Sequence, residues 1–143
     1  MHRAARNRQT VGMIVMDIDG FKQINDRLGH EAGDGVLRSS GQLLQTATRG
    51  SDIPCRYGGE EFLLILPEAS WAVTHARAEQ IRERCRQIEF DATDGKIGPV
   101  TLSLGVASYP QHGDGLEVVL RTADAALYRA KVDGRDRTVL AAN

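Results

Sequence analysis

Apolar and polar positions alternate along the chain in a way that predicts strands and helices in the order βααββαβαβ. Residues 10–18 read as a strand, with Val11, Met13 and Val15 on one face and Ile14 and Met16 on the other. Apolar residues on both faces mark a strand covered on both sides, which places it at the centre of a sheet. Residues 21–28 read as a short helix stopped near Gly29, and residues 31–48 as a longer one with Val36, Ser40, Leu43 and Ala47 on one face. Gly33 and Gly35 in its first turn each disfavour helix by ~1 kcal/mol relative to Ala, so a close backbone approach is expected there. Residues 52–57 and 61–66 are strand-like runs around Gly58-Gly59, a pair suited to a tight hairpin turn with positive φ.

Pro67 closes that hairpin, and residues 70–88 form a helix with Ile81, Cys85 and Ile88 inward. Residues 90–99 are a loop with room for a strand edge. Residues 100–107 are a strand whose apolar face (Val100, Leu102, Leu104, Val106) alternates with a small, polar one (Thr101, Ser103, Gly105). Residues 116–131 form an amphipathic helix with Leu116, Leu120, Ala123, Leu127 and Ala130 inward, ended by Gly134, and residues 137–142 supply a last edge strand. The expected fold class is a layered α/β (α+β) domain with a mixed or mostly antiparallel sheet.

Composition narrows the function. At 143 residues the chain has the length of one domain, and no repeat or linker divides it. Its formal net charge of −1 gives no global basic field for nucleic acid or an anionic membrane, so phosphate binding must be local. No apolar run approaches the ~20 residues needed to span a bilayer, and residues 1–9 lack the apolar stretch of a signal peptide. Cys55 and Cys85 lie far apart with no zinc-ligand spacing, and read as reduced, partly buried thiols of a cytoplasmic protein.

The candidate chemistry is acidic. Asp17 and Asp19 end the first strand; two carboxylates at i and i+2 of an extended chain point the same way and repel unless a cation sits between them. A calcium loop starting at Asp17 fails, because Lys22 and Leu28 stand where Gly and Glu are required. Glu60 and Glu61 follow the Gly-Gly turn, and a hairpin beside the first strand brings its tip to Asp17. Such hard oxygen donors suit Mg²⁺ or Mn²⁺ completed by substrate phosphates, although spacing alone leaves an ordinary solvated hairpin as an equal alternative. Phosphate-binding loops of other nucleotide folds are absent. Phosphates would rest on N–H groups of residues 20–22 and on Lys22, while Lys131 and Arg135 by themselves read as an ordinary basic helix end.

Taken together, Asp-Ile-Asp-Gly-Phe-Lys-Gln-Ile-Asn-Asp-Arg-Leu-Gly-His-Glu-Ala-Gly-Asp (17–34) and Arg-Tyr-Gly-Gly-Glu-Glu-Phe (56–62) resemble the GGDEF family of diguanylate cyclases. Ser-Leu-Gly-Val-Ala (103–107), Ala-Asp-Ala-Ala-Leu-Tyr-Arg-Ala-Lys (123–131) and Gly134-Arg135 match its later motifs, so the resemblance covers about residues 10–140. It implies a palm-like nucleotidyl-cyclase fold and condensation of two GTP into cyclic di-GMP with release of two pyrophosphates. It also implies that Asp17, the Ile18 carbonyl and Glu60 hold Mg²⁺ or Mn²⁺, with Glu61 assisting and Glu60 helping to deprotonate the attacking hydroxyl. Asn25 and Asp34 would bind guanine, with His30 and Phe21 at the same nucleotide. Lys22, Lys131 and Arg135 would contact phosphates. Arg49 and Asp52 match the family's R-x-x-D inhibitory site for cyclic di-GMP; the bare motif also suits a local ion pair.

The same resemblance implies an antiparallel homodimer for turnover and an upstream sensory or dimerising domain in a longer protein. Residues 1–143 are expected to be a single such domain, with residues 1–9 the tail of a first helix whose start is missing. Glu60 replaces the Asp of the family's name-giving motif, and Gly20 and Asp136 stand where bulkier and amidic residues are usual. Two other readings stay open: a catalytically silent receptor for GTP or cyclic di-GMP, and an inactive truncated domain.

Overall fold

The computed structural model describes residues 10–92, 95–96 and 99–142; the expected helix tail at residues 1–9 lies outside them. Strand β1 (Val11–Ile18) leads into helix α1 (Phe21–Leu28) and helix α2 (His30–Thr46). The hairpin strands β2 (Ile53–Arg56) and β3 (Glu61–Pro67) follow, then helix α3 (Trp71–Arg86). A two-stranded ladder, β4 (Asp91–Ala92) and β5 (Gly95–Lys96), occupies the expected strand edge. Strand β6 (Leu102–Tyr109), helix α4 (Leu116–Val132) and strand β7 (Arg137–Leu140) complete the chain. The main sheet has the order β2-β3-β1-β6-β7 and is antiparallel except where β6 meets β7.

The doubly apolar β1 is the central strand, as its pattern requires. Ile14, Met16 and Ile18 enter a core formed with Phe21, Val36, Leu43, Leu44, Ile81 and Cys85 of the first three helices. Met13 and Val15 face the opposite way, into a smaller core with Val119, Ala123 and Leu127 of α4. The sheet is therefore sandwiched between α1–α3 and α4, and residues pointing to either face leave water.

Several sequence expectations change in this setting. The small, polar face of β6 is covered: Ser103 is fully buried and α4 lies directly on Gly105. The buried stripe of α4 is Val119, Ala123, Ala126, Leu127 and Ala130, whereas Leu116, at its first turn, is 49% exposed. The helix thus docks through small residues, which let its backbone approach the strand. Gly33 is needed for close approach, because a Cβ there would overlap the Asn25 amide, but Gly35 faces open space. Cys85 is fully buried, donates to the Val100 carbonyl, and burial pushes its thiol up to about 12. Cys55 is exposed on the edge strand β2, contrary to the partly buried thiol expected, and both cysteines are free.

A side chain at position 105 has nowhere to go. Its Cβ would stand 2.1 Å from the Ala123 carbonyl oxygen and 2.4 Å from the Leu127 nitrogen, both backbone atoms that no rotamer change can move. Gly105→Val is expected to cost about 3 kcal/mol or more in urea unfolding. A loss below roughly 1 kcal/mol would show that α4 can lift from the sheet without penalty.

Candidate active site

Register decides what the acidic residues do. Pairing of β1 with β3 sets Asp17 directly opposite Glu61, and the Ile18 N–H donates to the Glu60 carbonyl at 3.4 Å. The hairpin tip therefore closes over the carboxyl end of the central strand. Gly58 supplies the left-handed turn (φ 91°), the Tyr57 N–H donates to the Glu61 carbonyl at 2.7 Å, and Arg56 clamps the Gly59 carbonyl with Nε and Nη2.

Asp17 is buried, and Lys131, on the last turn of α4, pairs with its Oδ2. Its Oδ1 is also buried and has no hydrogen-bond partner. Burial raises the Glu60 carboxyl to about 7, reinforced by the neighbouring Asp17 carboxylate; Lys131 opposes the shift. Burial and then Asp17 raise Glu61, and burial raises Asp124 against the pull of Lys131. One ammonium thus serves several crowded carboxylates. Among the described residues no three acidic, His or Cys side chains converge closely enough to chelate an ion as they stand, and Lys131 lies on Asp17. The donor set nevertheless fits a divalent cation: an orphaned buried carboxylate oxygen, neighbours resisting ionisation, and oxygen-only ligands of the hard class.

Asp19 has a different task from the one its spacing suggested. Its carboxylate accepts from Thr101 Oγ1 and Ser103 Oγ, each at 2.7 Å, and from the Asp136 N–H at 3.0 Å. It is a structural acceptor tying β1 to β6 and to the turn after α4, and is not half of a cation pair. Asp124, not singled out in the sequence, joins the site instead. It lies seven residues before Lys131 on one helix, two turns apart and on the same face. A cleft of about 280 Å³ between hairpin and α4 is lined by Tyr57, Glu61, Asp124, Leu127, Tyr128 and Lys131. A roomier hollow of about 360 Å³ between α2 and β2 holds arginines and glutamines but no carboxylate.

The remaining candidates fall into three places. Lys22 is exposed in the first turn of α1, whose N-terminus carries no side-chain cap, leaving N–H donors available. Phe21 is buried in the main core, so what it can offer a ligand is its backbone N–H. Asn25 lies over Gly33 at the α1–α2 junction, next to exposed Asp34, with exposed His30 at the first residue of α2. Arg135 is exposed in the turn after α4. Arg49 and Asp52 lie apart from this region, before β2. Asp52 Oδ2 accepts from the Arg49 backbone N–H at 2.8 Å and from Arg77 Nη1 at 2.7 Å, an almost fully buried ion pair. The simple side-chain pair between Arg49 and Asp52 is therefore not formed; Arg77 takes that place.

Residues 1–137 match the family described as "Diguanylate cyclase, GGDEF domain". The chain belongs to the GGDEF family. It is 38% identical over its whole length to diguanylate cyclase A of Treponema denticola, of which it spans 38%. The active GGEEF domain of a diguanylate cyclase from Vibrio cholerae superimposes with a TM-score of 0.87 at 35% identity, covering 99% of this chain and 88% of that one. The GGDEF domain of DgcB from Caulobacter crescentus, in complex with c-di-GMP, gives a TM-score of 0.86 at 34% identity, covering 92% and 77%. The palm-like fold expected of the family is the one observed. Among the described residues of this GGDEF domain no helix is long and apolar enough to cross a membrane.

Because Glu60 is protonated more readily in the folded chain, that chain binds an extra proton between the ordinary carboxyl value of 4.5 and about 7. Without divalent cation its stability should therefore fall as pH rises through this window, with the cost fully present above it. Thermal melts of Glu60→Gln in chelator should show a flatter pH profile, with the variant the more stable at pH 8 and equal at low pH. An unchanged slope would assign the pH dependence to another group.

Proposed function

We propose that this domain is a diguanylate cyclase half-site acting in the cytoplasm, binding one GTP with Mg²⁺ or Mn²⁺ and condensing it with a second GTP. The products would be cyclic di-GMP and two pyrophosphates. The observation that carries this reading is the buried, partnerless Asp17 Oδ1 at the meeting of β1 and the hairpin, among carboxylates that resist ionisation without a counter-cation. Asp17, Glu60 and the Ile18 carbonyl would hold the cation, with Glu61 assisting. A divalent ion there would supply polarisation of the α-phosphate and acidification of the attacking 3′-hydroxyl.

The chain's own groups do the rest. Asn25 and Asp34 would hydrogen-bond the guanine edge beside Gly33, with His30 lining that pocket. Lys22, the α1 N–H groups that include that of Phe21, Lys131 and Arg135 would bind and orient the phosphates. Lys131, which pairs with Asp17 in the free chain, would be available to the nucleotide phosphates where a cation neutralises that carboxylate. Glu60 would also help to deprotonate the 3′-hydroxyl. One half-site presents one nucleotide, so turnover would need two domains facing each other antiparallel. An upstream sensory or dimerising region is consistent with the 38% share of the Treponema relative that this chain spans. Arg49 and Asp52 would bind product cyclic di-GMP as an inhibitory site.

Incubation with GTP and Mg²⁺, followed by chromatography, should yield cyclic di-GMP, more so when the chain is fused to a dimeriser. GTP binding without product from the fused dimer would favour a silent receptor over a cyclase. Absence of both binding and product would favour an inactive truncated domain. Glu60→Gln should reduce turnover at least 100-fold, as expected for loss of a metal-ligating carboxylate. Arg49→Ala should relieve product inhibition while leaving the initial rate near that of the parent; unchanged inhibition would remove Arg49 from that role.

A further inference from the structure

The turn after α4 is held in a conformation that its own residues disfavour. Gly134, Arg135 and Asp136 all have positive φ (127°, 65° and 46°), and two of the three carry a Cβ. Left-handed backbone at such residues persists only where the surroundings impose it. Three anchors do so here. The Arg135 N–H donates to the Ala130 carbonyl at 2.9 Å, closing the end of the helix. The Asp136 N–H donates to Asp19, itself fixed by Thr101 and Ser103. The Asp136 carboxylate and carbonyl both accept from Arg82 Nη1 on α3, at 3.0 and 3.3 Å. Arg82 is in turn gripped by Glu79 through Nε and Nη2, at 3.1 and 3.0 Å.

The Arg135 guanidinium has no partner among the described residues, though everything around it is fixed. Lys131 touches Asp17, Asp136 touches Asp19, and Arg135 stands in the chain between these two attachments. A free cation on an imposed turn, tied at both sides to the end of the strand that carries Asp17, is a group held ready for a ligand. The geometry points to Arg82 and Asp19 as positioning residues that set the 134–136 turn so that Arg135 is presented to the phosphates of GTP. This rests on the phosphate role of Arg135 given above. Neither residue need touch the nucleotide. Arg82 works from the far side of the turn, on a helix that contributes no other group to the site.

The test is a double-mutant cycle read by GTP binding, with guanosine, which has the base and no phosphate, as control. Arg82→Gln should weaken GTP binding roughly tenfold, the scale of one charge-assisted contact, and leave guanosine titration by NMR unchanged. Arg135→Ala should do the same. The pair Arg82→Gln with Arg135→Ala should be no weaker than Arg135→Ala alone, and Arg82→Lys should recover part of the loss. Asp136→Gly, which relaxes the turn without removing Arg82, should reproduce the Arg82→Gln result if the latter folds poorly. Additive losses in the double variant, or equal losses of GTP and guanosine, would overturn the positioning role. If Arg135→Ala alone binds GTP as the parent does, it is the phosphate reading that fails, and the positioning role fails with it.

Discussion

The contact between Lys131 and Asp17 joins the two halves of the molecule at the point where its chemistry is concentrated. Asp17 sits at the end of the central, almost fully buried strand, where an ionised carboxylate is costly without a counter-charge. Glu60, Glu61 and Asp124 add to the negative field, and Lys131 is the one cation that their ionisation behaviour registers. The Lys131 side chain is partly exposed, so water screens the pair more than a fully buried one, but Asp17 keeps this counter-charge only while α4 stays docked on β1 and β6. That requirement explains the small residues along the docking stripe of α4, and Gly105 opposite them. A single ammonium shared among several carboxylates is incomplete compensation, which the divalent cation proposed above would complete.

Around this centre the polar groups divide cleanly between support and presentation. Asp19, Thr101, Ser103, Arg82, Glu79 and Asp136 satisfy one another. Lys22, His30, Asp34 and Arg135 are exposed. Saturated groups hold the backbone, and the exposed ones are those proposed to contact the nucleotide. The buried Arg77–Asp52 pair follows the same logic at the R-x-x-D turn: Asp52 is fixed from behind while the Arg49 side chain stays in solvent. α3 supplies both supports, Arg77 to that turn and Arg82 to the turn that carries Arg135.

Much of this was legible in the chain because the signals are local. The doubly apolar pattern of β1 put it at the centre of the sheet, Gly58-Gly59 announced the hairpin, and Ser70 proved to be the N-cap of α3 with its side chain accepting from the Val73 N–H. Four motifs in the right order point to the family from the chain alone. Where local reasoning erred, the deciding partner was distant in sequence. The small, polar face of β6 gave no sign of what covers it, because α4, which buries it, is specified elsewhere. Asp19 looked like half of a cation pair because its donors at 101, 103 and 136 are more than eighty residues away.

The sequence by itself determined which residue types are available and roughly where each element lies, since periodicity, glycine placement and motif spacing depend on near neighbours. Only the tertiary structure decided which carboxylates share a volume. Asp17, Glu60, Glu61 and Asp124 come from three separate elements, and their ionisation depends on distance and burial that no linear spacing encodes. The same holds for Arg135. Its charge is written in the chain, whereas the imposed turn that presents it is set by Asp19 and Arg82 across the fold.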